Sequence, residues 1–159
     1  MNIDRRSLIL GASTFMALGA TGVAESETSE AKNLPAERVQ GIGGFFFRSQ
    51  DPKSLAVWYQ RNLGIVLTPT EYNQPVWQQS AGPTVLQPFS MNSKYIGPPQ
   101  HSWMLNFRVA NLDAMVAQLR ASNIEVEIDP QVYPNGRFAR LQDPEGNHIE
   151  LWQPAIPKS

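Results

Sequence analysis

Hydrophobic and polar residues alternate most sharply near the end of the chain. In His148-Ile149-Glu150-Leu151-Trp152, Ile149 and Leu151 point one way, and His148, Glu150 and Trp152 point the other. This pattern predicts a strand with two unlike faces. Asp143-Pro144-Glu145-Gly146 precedes it and reads as a tight turn, because Pro144 presets φ and Gly146 tolerates the positive φ that closes such turns. Arg137 to Gln142 is then the partner strand. A carboxylate, Glu150, is left in mid-strand beside an imidazole and an indole.

Further strands and helices follow from the same patterning. Gly41 to Arg48 predicts a strand with Phe45 and Phe47 on one face. Asp51 caps a helix whose first turn holds Pro52; Leu55, Trp58, Tyr59 and Leu63 fall at helical spacing, and Gly64 ends it. Ile65 to Glu71, Val76 to Ser80 and Thr84 to Phe89 are three short strand candidates. The sequence then repeats the plan. Ser102 to Val109 predicts a strand, Asn111 caps a helix with Leu112, Met115, Val116 and Leu119 on one stripe, and Glu125 to Val132, Arg137 to Gln142 and His148 to Gln153 predict strands. The two halves align at an offset of 60 residues, where Phe47-Arg48 lies over Phe107-Arg108, and the offset grows to 63 near the module ends. The expected architecture is α+β: two tandem βαβββ modules, 39–89 and 101–154, forming a curled mixed sheet around a shared cleft, with Ser90 to Gln100 as connector.

Composition narrows the chemistry. The net charge of −1 gives no electrostatic case for nucleic acid or an anionic membrane. No cysteine is present, which excludes disulfides, thiolate metal sites and a cysteine nucleophile. The two histidines, His101 and His148, exclude a three-histidine metal centre. The first 24 residues carry Arg5-Arg6, then an uncharged run from Ser7 to Ala24 rich in Gly, Ala and Leu, with small residues at Gly22-Val23-Ala24. They read as a signal peptide of twin-arginine type, although Leu8 stands where that motif often has Phe. Residues 25–38 read as a flexible lead-in. The expectation is an exported, periplasmic bacterial protein that is free of the membrane once the signal is cleaved.

The duplicated strand-helix-three-strand plan, the Asp51-Pro52 and Trp58-Tyr59 segment before Leu63-Gly64, and Asp143-Pro144-Glu145-Gly146-Asn147 with Ile149-Glu150-Leu151 resemble the vicinal oxygen chelate superfamily. Its members include glyoxalase I, ring-cleaving dioxygenases, fosfomycin-resistance enzymes and bleomycin-binding proteins. The resemblance covers nearly all of residues 39–154. It implies four metal-ligand positions, which fall here on Gly44, Gln87, Met104 and Glu150. Glycine offers no donor, the amide is a weak one, and the thioether suits copper better than zinc, nickel, iron or manganese. The usual divalent ion is therefore expected to be absent, and no other cofactor is implied. A shifted trio of His101, His148 and Glu150 is the alternative metal site.

With one sheet face assigned to the helices, strand parity turns Phe46, Arg48, Gln87, Phe89, Met104, Asn106, Arg108, His148, Glu150 and Trp152 toward the cleft. A concave, mixed lining of this kind fits a small-molecule site, and a filled core between the modules is the other reading. Glu150 is the candidate for chemistry, either as a general base or as a carboxylate retained at an ancestral ligand position. The expected function is metal-free binding of a small molecule. The alternative is a glyoxalase-like lyase, isomerase or dioxygenase using Glu150 as base or metal ligand. The chain is expected to be a monomer or homodimer, because paired modules can belong to one chain or to two.

Overall fold

The computed structural model describes residues 37–71 and 73–155. The signal and most of the lead-in expected from the sequence lie outside them. The chain divides into two compact units, one running over residues 9–47 and the other containing residues 48–159. Of the first unit, residues 37–47 are described; they form no helix or strand, and the Phe45 and Phe47 rings lie 5.6 Å apart.

Among its described residues, the larger unit contains two helices and a four-stranded mixed sheet. In chain order these are α1 (Pro52–Leu63), β1 (Leu105–Arg108), α2 (Leu112–Ala121), β2 (Glu127–Ile128), β3 (Gly136–Gln142) and β4 (His148–Pro154). The sheet order is β1-β4-β3-β2, with β1 parallel to β4 and the other pairs antiparallel. The sheet is open.

Both helices start and stop on the residues their local chemistry selects. The Asp51 carboxylate accepts from Ser54 N–H at 3.1 Å, and the Asn111 side chain accepts from Ala114 N–H at 2.9 Å, each satisfying an orphan donor of the first turn. Gly64 ends α1 in the left-handed region with φ 69°, while its N–H and that of Ile65 return to the carbonyls of Gln60 and Tyr59. One stripe of α2, Leu112, Val116 and Leu119, is buried. It packs on the face of β3 and β4 that carries Ala139, Leu141, Ile149 and Leu151, all buried. The Arg137 guanidinium forks onto the Asp113 carboxylate with two bonds of 2.7 Å, tying β3 to the first turn of α2. Gln153 Oε1 accepts from Leu112 N–H at 2.7 Å and ties β4 to the same turn.

The second half thus forms the expected strand-helix-three-strand order. The first half contributes its helix. Among the described residues, Gly41 to Arg48, Ile65 to Glu71, Val76 to Ser80 and Thr84 to Phe89 form no paired strand. Their composition accounts for this. The first holds three glycines; the others contain or follow Pro69, Pro75, Pro83 and Pro88, each of which removes a ladder donor. Alternation alone does not make a strand, which exists only with a partner to accept its hydrogen bonds.

The closing turn does more than reverse the chain. Gly146 has φ 81°, and its N–H donates to the Asp143 carbonyl at 2.9 Å. The buried Asp143 carboxylate accepts from the backbone N–H groups of Glu145 and Asn147, from the Asn147 amide, and from the Tyr59 hydroxyl at 2.9 Å. Burial, reinforced by the Asp143 charge and the hydrogen bond to it, pushes the Tyr59 phenol far up from its ordinary value, so it stays a donor. Glu145 accepts from Ser49 Oγ at 2.7 Å and from the N–H groups of Gln50 and Asp51 at 3.0 Å. Those bonds hold its carboxyl below the usual carboxylate range, the Asp51 N–H and Ser49 hydroxyl contributing most. The two acids of the turn therefore anchor the N-cap of α1 and Tyr59 within it to the last hairpin.

Candidate functional site

The register of the sheet sets the site. Glu150 on β4 pairs with Asn106 on β1 and with Arg140 on β3, so the three side chains form one row across three strands. This row lies on the face opposite Ile149 and Leu151, as residue parity requires. Glu150 is only 2 % exposed. Asn106 Nδ2 donates to its Oε1 at 2.9 Å, and Arg140 Nε donates to Oε2 at 3.3 Å. A fourth segment completes the shell. The Tyr95 hydroxyl, from the connector between the halves, lies 3.0 and 3.1 Å from the two carboxylate oxygens. The Tyr95 ring stacks on Phe89 at 4.9 Å between centroids with an 11° interplanar angle, and the Arg140 guanidinium carbon sits 4.5 Å from the centroid of the same ring.

A buried carboxylate is costly unless paired and hydrogen-bonded. Here an amide, a guanidinium and a phenol all supply protons to it. The arrangement can hold an anionic acceptor in place and present it to a donor. A divalent ion needs lone pairs converging on it. Among the described residues, Tyr95, Asn106 and Arg140 each turn a hydrogen toward Glu150. Of the other positions implied by the superfamily resemblance, Gln87 turns its amide to the Pro88 carbonyl at 2.8 Å, and Met104 is half-buried one residue before β1. Gly44 lies in the smaller unit and carries no side chain.

The remaining expected residues are dispersed. Arg108 is drawn away from Glu150, its guanidinium donating to the carbonyls of Ser80 at 2.7 Å and Ala81 at 3.1 Å. A Cβ at Gly82 would push that guanidinium from its place. Trp152 is buried, stacked on Phe138 at 6.2 Å, with its indole N–H donating to the Asn135 carbonyl at 2.8 Å. It stiffens the far end of the hairpin. Arg48 is exposed, and Phe46 belongs to the smaller unit. His148 is half-buried two residues before Glu150 on β4, opposite Gln142, with its ring 5.0 Å from the His101 ring and 3.1 Å from the Gln142 amide nitrogen. Burial first, then His101 and Arg140, lower its pKa and keep it neutral. His101 Nδ1 is buried without a hydrogen-bond partner among the described residues. The two rings meet each other, whereas the Glu150 oxygens turn to Tyr95, Asn106 and Arg140. Among the described residues no three His, Cys, Asp or Glu side chains form a group able to hold an ion.

Sequence reasoning missed Tyr95 and Arg140. Arg140 carried a usable signal, since it and Glu150 are equally far from the centre of the closing turn and must face each other across the hairpin. Tyr95 had none, because the connector around it has no periodicity.

The fold and the row on its open face define an α+β protein of the glyoxalase-like kind. The chain belongs to the glyoxalase-like domain family, whose model matches residues 44–152. It is similar to a glyoxalase/bleomycin resistance protein from Streptomyces sp. CB03234, with 38% identity over 33% of this chain and 46% of that one and a TM-score of 0.30. The matched part thus spans less than half of that protein. It is also similar to TnmS3, an antibiotic binding protein from Streptomyces sp. CB03234, with 26% identity over 66% of this chain and 88% of that one and a TM-score of 0.42. No curated protein matches the chain.

Proposed function

We propose that the protein binds a small molecule on the Glu150 face of the sheet, without the divalent metal of the enzymes its family resembles. One observation carries the reading. Glu150 is 2 % exposed on the face that the helices do not cover, and it is surrounded by proton donors from three separate segments. Hydrophobic residues in place of the whole cluster would stabilise the sheet equally well. Retaining a buried carboxylate with its shell supports a recognition role, and the donor character of that shell supports an organic ligand over an ion. Phe89, on which a planar ring already stacks, supplies the apolar contact that small-molecule sites use beside a few polar groups. Membership of the glyoxalase-like domain family agrees with such a site.

The test is a thermal-shift screen of small aromatic and carboxylate compounds on the full chain, beside Glu150→Gln. At least one compound should raise the melting temperature of the unmodified protein, and Glu150→Gln should abolish that shift. Elemental analysis after exposure to nickel, zinc, manganese and iron should find no stoichiometric metal. One tightly bound ion per chain overturns the metal-free part of the reading.

We propose also that the chain is exported through its paired arginines. Arg5-Arg6, the uncharged run after them and the small residues at Gly22-Val23-Ala24 support this. Replacing both arginines by lysine should retain the protein in the cytoplasm on cell fractionation; unchanged export would refute the route.

A further inference from the structure

Tyr95 meets Glu150 in the way a ligand would. Its planar ring has an aromatic neighbour in Phe89 and a cationic one in Arg140, and its hydroxyl reaches both oxygens of a carboxylate to which the strand residues Asn106 and Arg140 also donate. Asn106, Arg140 and Glu150 sit on regular strands whose register fixes them. Tyr95 sits on a connector of turns, held locally by a bond from its own N–H to Ser93 Oγ at 3.2 Å. The fixed half of the cluster is a receptor for a phenol, and the loop fills it.

We propose that Tyr95 is a tethered occupant of the binding site, and that the ligand is a hydroxylated planar aromatic molecule that displaces it. This rests on the reading that the Glu150 face binds a small molecule, and it names the ligand class. The ligand's hydroxyl donates to Glu150 in place of the tyrosine hydroxyl, and its ring takes the contacts with Phe89 and Arg140. Asn106 keeps its bond to Oε1 throughout. Because the internal ring competes, apparent affinity is reduced by the fraction of molecules in which Tyr95 is docked. The tether excludes molecules that cannot both stack and donate, since they do not replace everything Tyr95 supplies.

The experiment is fluorescence titration of the full chain with 2-naphthol and with 2-methoxynaphthalene, which has the same ring system but no hydroxyl donor. Tyr95→Ala should bind 2-naphthol about tenfold tighter than the unmodified protein, with a gain of no more than about twofold for 2-methoxynaphthalene. Adding Glu150→Gln should cancel the 2-naphthol gain. Tyr95→Phe keeps the ring and releases the acceptor, so it should show a smaller gain of the same sign and serves as the variant most certain to fold. The proposal is overturned if both folded variants bind 2-naphthol no tighter than the unmodified protein, because Tyr95 is then part of the wall. It is overturned equally if both probes gain alike, because the space vacated is then unselective. The underlying reading is judged separately: a compound of other chemistry from the thermal-shift screen, bound in a manner sensitive to Glu150→Gln, keeps the binding site while removing the tethered occupant.

Discussion

The two faces of β4 solve opposite problems with alternate residues of one strand. Ile149 and Leu151 are fully buried under α2 among other aliphatic side chains. Glu150 is almost as buried on the other face, but a sequence-distant tyrosine, an amide and a guanidinium surround it. The first face gains stability from area removed from water. The second buries a carboxyl group, which is costly unless it is hydrogen-bonded. The same degree of burial is thus reached by apolar packing on one side of the strand and by a polar shell on the other.

The largest effect should come from the helix face. Leu151→Ala removes a fully buried side chain beneath α2 and should cost about 2–5 kcal/mol in urea unfolding. An effect below about 1 kcal/mol would mean that this face is not the core. Glu150→Leu, one position away, tests the contrast, since it removes no apolar packing and strands the donors of Tyr95, Asn106 and Arg140. It should cost about 1–3 kcal/mol and remove ligand-induced thermal shifts; shifts that persist would make the row structural.

Arg140→Met probes the other partner of the pair. It takes a charged donor from Glu150 and a cation from the Tyr95 ring, and should cost roughly 1–3 kcal/mol, discounted because Arg140 is partly exposed. Combined with Glu150→Leu the two losses should fail to add, and strict additivity would show that the pair is not coupled. Tyr59→Phe leaves the face contrast untouched and removes the hydroxyl that reaches Asp143, for about 1 kcal/mol.

The smallest effect is one of pH. The Glu145 carboxyl is held below its ordinary range, so the stability it contributes is complete above about pH 4 and is lost as pH falls through that range toward its folded value. Glu145→Gln should therefore be less stable than the unmodified protein at neutral pH, and the two unfolding curves should converge in acid. Curves that stay parallel down to about pH 2 would detach Glu145 from acid unfolding. Neither sheet face should change its ligand response.

Local chemistry was easy to read. Asp51, Asn111, Gly64 and the Asp143 to Gly146 turn act through neighbours within a few residues, and the structure places helix ends and hairpin where those residues put them. The alternation in His148 to Trp152 likewise separated the α2-packed face from the Glu150 face. The partners of Glu150 were harder. Asn106 came from parity and Arg140 was available from hairpin register, but Tyr95 reaches its acceptor across 55 residues from a loop. Arg108 illustrates the converse. Its parity is right for the row, yet two loop carbonyls hold its guanidinium elsewhere. The proline-bearing segments before residue 90 alternate like strands and stay unpaired in the described residues, because pairing depends on a neighbour that periodicity does not specify.

The clamp between α1 and the closing turn has a kinetic meaning. Ser49, Gln50 and Asp51 reach Glu145 across 94 to 96 residues, and Tyr59 reaches Asp143 across 84. A helix is thus secured by a turn synthesised 94 residues after its cap. During translation α1 has its caps but not its anchors until residue 147 has left the ribosome, and contacts of such long sequence separation form slowly. The newly made chain must hold residues 49–62 in waiting while the segment up to Glu145 is synthesised, so the docking of α1 on the hairpin is a late step in folding.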